Sequence, residues 1–448
     1  MKIAIGGNTF VRSVNEDVLF SNPKSGANFV VNDCKVLADA LSKEFKSIEK
    51  ILSAIANACN IDIVDATSDF MPIIEDLISE GLLVTSESNN VDEHGRVIAQ
   101  SKYKSTSDIV AGEGDPLGKF YSDRQLPLAL HMDITSCCTE RCVHCYLPDY
   151  PNKHIPYNFI EKVLHEFKGL AGLTVYISGG ECMAHPEFRR ILSLCRAMDM
   201  NIVILSNLTL CDNDMVRFLK EISPQYVNVS LYSTKSEEHD AITTIKGSCE
   251  KTLNAISRCL KEGVNIRIAA PLLKMNRYAF HDLQNFANNH NIHLVPDFTI
   301  ISKCNHDGSN LQYACSAEEL KEVLAANKEI FDMGWAKNCR NNPDATICDI
   351  GLFKVHLNSK GDYYPCPSMH GYVLGNCRDY TLQDIWYSGK MNYLRNIRWK
   401  HLPKCVNCDK RTFCEPCIAY NFNATGDLFK VVPEKCAMAT VVKKIYEV

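Results

Sequence analysis

Cys138, Cys142 and Cys145 fall within eight residues, in the run Cys-Thr-Glu-Arg-Cys-Val-His-Cys. The run is placed shortly after a strand-like stretch, His131-Met132-Asp133-Ile134-Thr135. A [4Fe–4S] cube has four irons and normally takes four thiolates. Three thiolates from one loop would leave one iron without a local protein ligand, free to bind and polarise a small molecule. Such a loop suits chemistry better than electron relay, and makes these three cysteines the candidate catalytic loop. The bland alternative is three unrelated buried cysteines, in a chain that has 22 of them. The same spacing also occurs in other iron–sulfur proteins.

The elements around the loop are those of a layered α/β fold. Short apolar runs at 128–134, 173–178, 201–206, 226–231 and 265–272 alternate with helix-period segments at 159–170, 187–198, 215–222 and 251–262. That alternation predicts a parallel sheet with crossover helices, in which ligands sit at the carboxyl ends of the strands. The cysteine loop follows the first of those strands. The second ends in Gly179-Gly180-Glu181, two glycines that allow close approach of backbone and a carboxylate able to pair with an ammonium. Cys182, next in line, reads as a passive small residue.

The loop and the Gly-Gly-Glu run together resemble the radical S-adenosylmethionine (SAM) superfamily. The resemblance implies a partial (β/α)6 barrel over residues 125–300. It also implies a [4Fe–4S] cluster on Cys138, Cys142 and Cys145 whose open iron takes the methionine amine and carboxylate of SAM. Gly179, Gly180 and Glu181 would meet the SAM amine. Ser206, Asn207, Ser230 and Tyr232, at later strand ends, would lie near its ribose and carboxylate. Arg267 could reach that carboxylate, and a structural salt bridge explains it equally well.

Toward the C-terminus the cysteines fall in a second order: Cys348, Gly361 and Cys366, then Cys405-x2-Cys408-x5-Cys414-x2-Cys417, and Cys436. This resembles the SPASM domain, placed here at 339–448 after a bridging segment at 301–338. The resemblance implies two auxiliary [4Fe–4S] clusters. The nearer would use Cys348, Cys366 and Cys417, with Cys339 as a possible fourth ligand. The outer would use Cys405, Cys408, Cys414 and Cys436. The family usually places three residues between the last close pair, where this chain has two. A structural zinc on Cys405, Cys408, Cys414 and Cys417 is the competing assignment, although zinc ribbons usually separate their pairs by more than five residues. Cys304 and Cys315 fit neither pattern.

The first 85 residues read as a unit of their own. Strand signals at 9–12, 18–20 and 29–31 precede three helix patterns. Asp33 is the expected cap of the first and Ser47 of the second. The third carries Phe70, Ile73, Ile74, Leu77 and Ile78 and stops at Gly81. This winged-helix-like β3α3 module resembles the PqqD-like recognition element of peptide-modifying enzymes. The resemblance implies that a substrate's leader peptide adds as a strand beside Phe29, Val30 and Val31 and packs on Ile73 and Leu77. A decorative winged helix or a dimerisation unit is the alternative. Residues 86–124 are polar and aperiodic, and read as a linker.

Bulk composition narrows the classes. A 46% hydrophobic, 23% charged chain of 448 residues is globular and holds two or three domains. The net charge of −5 and the absence of a basic helix face speak against nucleic acid. No stretch reaches membrane-span length, and the apolar run at the N-terminus is too short for a secretory signal. Cysteine-rich chains without export signals belong to reducing compartments, which gives the expectation of a cytoplasmic metalloprotein.

Taken together, the resemblances imply a radical SAM oxidoreductase that matures a ribosomally made precursor peptide, fed by a flavodoxin- or ferredoxin-like electron donor. The expected product is a thioether from cysteine sulfur to carbon. Carbon–carbon crosslinking and epimerisation are alternatives. A sulfatase-maturing (formylglycine-forming) enzyme is a further rival, but it has an aspartate where this chain has Pro367. From another class, an iron–sulfur carrier or peptide-binding scaffold is the rival.

Overall fold

The computed structural model describes residues 1–87, 115–326, 342–414 and 416–446. They divide into two compact units.

The first unit is Met1–Leu128 with two short stretches, Lys168–Leu173 and Asp199–Asn201. It contains β1 (Lys2–Ile5), β2 (Phe10–Val14), β3 (Asp17–Asn22), β4 (Ala27–Val31), α1 (Lys35–Ala40), β5 (Lys46–Ser47), α2 (Ile48–Cys59), α3 (Ile63–Ser79) and β6 (Leu83–Thr85). Two three-stranded sheets result, β2-β3-β4 and β5-β1-β6. The second goes beyond the expected three strands: β1, β5 and β6 are each too short to show a period-2 pattern. Among the described residues β4 pairs with β3 alone, in antiparallel register from Val18↔Val31 to Asn22↔Ala27, and the helix Pro116–Arg124 packs near it. Ser47 caps α2 as expected, accepting from the Lys50 N–H. Asp33 does not cap α1. It adopts φ 51°, a turn conformation Asp tolerates, and Cys34 takes the cap position without a side-chain bond.

The linker expected at 86–124 falls largely on residues 88–114, outside the described residues. Its end is helical. Asp115 caps α4 (Pro116–Arg124) by accepting from Leu117 N–H, Pro116 opens the helix, and Leu117, Phe120 and Tyr121 are buried at helical spacing. Three apolar residues in nine are easily hidden in a polar stretch.

The second unit holds a nine-stranded sheet in the order β12-β11-β10-β9-β8-β7-β13-β14-β15. Six strands follow one another through the sequence: β7 (Ala129–Thr135), β8 (Thr174–Gly179), β9 (Asn201–Ser206), β10 (Tyr226–Ser230), β11 (Ile266–Pro271) and β12 (His293–Asp297). The first residue of β9 belongs to the first unit. Crossover helices α5 (Tyr157–Gly169), α6 (Phe188–Ala197), α7 (Asn213–Ile222), α8 (Ser236–Thr243), α9 (Ser248–Lys261) and α10 (Phe280–Asn289) alternate with them. This is the α/β architecture expected, with α8, α10 and β12 added. α5 shows why the helices form: Ile160, Val163, Leu164 and Phe167 make one buried stripe at helical spacing.

β13 (Lys354–Leu357) then joins the sheet parallel to β7, and β14 (Asp362–Tyr364) and β15 (Gly375–Asn376) extend it antiparallel. The cysteine-rich region therefore continues the barrel sheet. Its last helix, Pro433–Tyr446, sets Val441, Val442 and Ile445 against Leu320 and Leu324 of α11 (Ala317–Ala326), closing a core with Leu272 and Phe280.

Candidate functional site: a three-cysteine loop at the barrel mouth

β7 and β8 deliver the two expected motifs to one place. The Gly180 N–H donates to Thr135 O at 2.9 Å, and the Glu181 N–H to Cys137 O at 2.8 Å. The two glycines make this lacing possible. Gly179 sits at φ +134°, where a Cβ would lie 2.2 Å from Thr135 O, and a Cβ on Gly180 would lie 2.4 Å from Cys137 O. Close approach of backbone was expected toward a ligand; here it is toward the cysteine loop itself.

Glu181 is wholly buried. Ser206 Oγ donates to both of its oxygens, at 2.8 and 3.0 Å. The N–H groups of Met183 and Asn207 donate at 3.0 and 2.8 Å. Burial pushes its pKa up, and these donors pull against that. The open carboxylate expected from sequence is therefore a tie between strand ends, because the chain fills most of its acceptor sites. Ser206 and Asn207 serve Glu181, and the Asn207 Nδ2 also donates to Thr139 Oγ1 at 3.1 Å. Ser230 ends β10, partly buried. Tyr232 is at the loop itself: its hydroxyl lies 3.5 Å from Cys142 Sγ and its ring packs edge-on against His144. Arg267 is placed elsewhere. Its guanidinium lies 5.1 Å from the ring of Tyr226, at the opposite end of β10 from Ser230. Cys182 is buried with its thiol on Leu205 O.

The three loop thiols fit an iron–sulfur cluster. Each has a donor near its sulfur: Glu140 N–H at 3.4 Å from Cys138, Tyr232 hydroxyl at 3.5 Å from Cys142, and Leu147 N–H at 3.4 Å from Cys145. Hydrogen bonds to sulfur are what cluster-binding proteins use to tune the group. Burial pushes Cys138 up to about 12 and raises Cys142 and Cys145 too, so in the bare chain they are thiols. Metal binding must displace their protons. The loop backbone is held by α8, through Arg141 N–H to Thr243 O and Val143 N–H to Ile242 O, both at 2.9 Å.

Two further cysteine groups form. Cys348, Cys366 and Cys417 share one core with Ile350, Met369 and Ile418. Cys348 and Cys366 are raised chiefly by burial, and both feel Cys417. Cys405 is raised by burial and then by Cys436 and Cys408. Cys414 lies in the same segment, after a short helical turn at Arg411–Phe413. Cys339 lies outside the described residues.

In the first unit, Phe29 and Val30 on β4 are partly exposed, as is Ile73 on α3. Leu77 is fully buried within the module's core, and Val31 is buried beside it. Leu77 therefore cannot meet a docked peptide. It belongs to the inward stripe of α3 with Ile74, a face sequence periodicity does not separate from a binding face.

Sequence reasoning also missed a polar cluster on β7 and β13. His131, Asp133 and His356 bring ligating atoms within 4.8 Å of one another. Two ionisable residues two apart in a strand otherwise reading as buried were the available signal.

A parallel barrel with a three-thiol loop at its mouth and a second cysteine-rich region continuing its sheet is the architecture of an iron–sulfur enzyme. Residues 132–287 match the radical SAM superfamily and residues 348–409 match the SPASM iron–sulfur cluster-binding domain. Residues 132–287 therefore form a radical SAM region and residues 348–409 a SPASM region, and the chain carrying them is an enzyme.

Among curated relatives, the antilisterial bacteriocin subtilosin biosynthesis protein AlbA of Bacillus subtilis is 29% identical over 164 residues. That match covers 36% of this chain and spans only 37% of AlbA. The Fe-coproporphyrin III synthase of Methanosarcina barkeri is 21% identical, covering 63% of this chain and 80% of its own. Among solved structures, Streptococcus suis SuiB bound to precursor peptide SuiA superposes with a TM-score of 0.62 at 17% identity, covering 96% of this chain and 98% of SuiB. At that identity the likeness is one of fold. Among the described residues no helix is long and apolar enough to cross a membrane.

Proposed function

We propose that this enzyme is a peptide maturase that installs a thioether crosslink in a ribosomally made precursor peptide. The observation that carries the reading is the lacing of Gly180 and Glu181 to Thr135 and Cys137, which holds the start of the three-cysteine loop at the strand ends. Its support comes from the AlbA match and from likeness in fold to SuiB along nearly the whole chain, N-terminal unit included. The relative named for porphyrin chemistry shows that a related chain can serve another substrate class. In this reading the first unit supplies the selection for peptide, with a leader adding to β4, the terminal strand of its sheet.

Three [4Fe–4S] clusters are assigned: one on Cys138, Cys142 and Cys145, one on Cys348, Cys366 and Cys417 with Cys339 as the possible fourth ligand, and one on Cys405, Cys408, Cys414 and Cys436. When bound and reduced, the loop cluster supplies an electron that cleaves SAM to methionine and a 5′-deoxyadenosyl radical able to take a hydrogen atom from the peptide. The chain's own part is to position and exclude water. Glu181, Ser206 and Asn207 hold the strand ends rigid, Tyr232 adjusts the electron density on Cys142, and α8 fixes the loop backbone. A flavodoxin- or ferredoxin-like protein is the proposed electron donor, and the cytoplasm the proposed compartment.

The test uses the short open reading frame beside the gene. Reduced, reconstituted enzyme with SAM and that peptide should yield 5′-deoxyadenosine and a peptide lacking two hydrogens, with one cysteine no longer alkylatable. A peptide that loses hydrogens but keeps every thiol would redirect the reading to carbon–carbon crosslinking.

A further inference from the structure

Resting on the peptide-modifying reading, we propose that His356, held by Asp133, accepts the proton of the peptide thiol as it bonds to carbon, and that the cavity beside this pair receives that cysteine side chain. The pair is built by sheet register. His356 on β13 stands opposite His131 on β7, two residues before Asp133. Asp133 and His356 are buried, and His131 is partly buried beside them.

The hydrogen bonds assign the tautomer. His356 Nε2 lies 3.0 Å from Asp133 Oδ2, and the Tyr146 hydroxyl donates to the same oxygen at 3.1 Å. An ionised carboxylate only accepts, so Nε2 carries a proton, and in the neutral imidazole Nδ1 then carries the lone pair. Burial pushes the Asp133 carboxyl up, but His356 and His131 outweigh it and hold it well below the usual range, which keeps it ionised. An imidazole oriented by a carboxylate, with its second nitrogen bare, is the arrangement of a general base.

Unmet hydrogen bonds point to a ligand. His356 Nδ1, Asp133 Oδ1 and His370 Nε2 are all buried and have no hydrogen-bond partner among the described residues. Buried polar atoms in native proteins are normally paired; Asp133 Oδ1 has the His131 Nε2 at 3.6 Å, so the two imidazole nitrogens are the atoms that call for a partner from outside the chain. A cavity of about 240 Å³ is bounded by Asp133, His356, His370 and Tyr146, and also by Thr135 and Gly179. The last two end β7 and β8 against the cysteine loop, so the cavity runs from the imidazole–carboxylate pair to the cofactor side. Lys153, Lys360 and Asp149 line it too.

The bond-forming step needs such an acceptor. A peptide C–H and S–H become C–S. The hydrogen atom goes to the 5′-deoxyadenosyl radical, one electron goes to an oxidised iron–sulfur cluster, and the thiol proton goes to His356.

The test compares wild-type holoenzyme with His356→Gln, whose amide can still donate to Asp133 but cannot take up a proton. The probe is the cysteine-containing peptide encoded beside the gene, deuterated in its core. The variant should bind the peptide with wild-type affinity by fluorescence anisotropy and still pass deuterium to 5′-deoxyadenosine. Its thioether formation should fall about 100-fold. Thioether formation at the wild-type rate overturns the proposal, and so does a parallel loss of deuterium transfer, which would make the pair a mere strut between β7 and β13. One equivalent of zinc in the wild type that is lost in His131→Gln would show a metal centre instead, and also overturns it. Wild-type enzyme that cleaves SAM but forms no thioether sinks the peptide-thioether reading itself, a result distinct from the others.

Discussion

Ser206 Oγ sits between the two carboxylate oxygens of Glu181, 2.8 Å from one and 3.0 Å from the other. The pair joins the end of β9 to the end of β8 in a region with no access to water. Removing the hydroxyl leaves a buried carboxylate short of a donor, which costs about 2 kcal/mol for a bond to a charged group. Ser206→Ala should therefore lower unfolding stability by that amount in denaturant titration and weaken SAM binding. An unchanged midpoint would mean the carboxylate is satisfied without Ser206.

Gly180 offers a sharper test of the lacing. A Cβ there would lie 2.4 Å from Cys137 O and 2.9 Å from Cys138 Cβ, so the loop must shift to accept it. Gly180→Ala should fold but misplace Cys138. Its iron content after anaerobic reconstitution should drop by about four of twelve irons if three cubes form in the wild type. Full iron loading would show the loop to be looser than the lacing suggests.

The loop cysteines themselves separate the clusters. A variant with alanine at Cys138, Cys142 and Cys145 should lose 5′-deoxyadenosine formation while keeping about two-thirds of its iron. SAM cleavage surviving in that variant would place the chemistry on another cluster.

Tyr232 reaches Cys142 Sγ with a hydroxyl whose burial raises its pKa well above that of a free phenol, so it remains a donor. A hydrogen bond to sulfur favours the reduced, more negative cluster. Tyr232→Phe should therefore shift the loop cluster's midpoint to more negative potential in an EPR-monitored redox titration. A shift in the opposite direction would rule out this tuning role.

The position of β4 at the end of its sheet makes the remaining prediction. Val30→Asp and Ile73→Asp alter partly exposed positions and should weaken binding of the adjacent-gene peptide roughly tenfold, about 1.4 kcal/mol, by fluorescence anisotropy. SAM cleavage without peptide should be unaffected. Peptide affinity equal to wild type in both variants would falsify leader docking on this strand.

The sequence by itself determined what recurs along the chain at short range. The three-cysteine spacing, the Gly-Gly-Glu run, the strand–helix alternation and the Ser47 cap are all set by neighbours within a few residues, where residue type and local geometry are tightly coupled. α4 was legible in principle, through Asp115, Pro116 and the Leu117–Phe120–Tyr121 stripe, but its nine residues are overshadowed by a polar approach. Only the tertiary structure decided which groups those motifs face. Glu181 reads as an open carboxylate until β9 brings Ser206 against it, and Leu77 reads as a docking residue until the helix packs that face inward. His356 stands more than two hundred residues from Asp133 in the chain, and no local pattern links them. Sheet register sets that distance at 3.0 Å, because β13 happens to add parallel to β7 with His356 opposite His131.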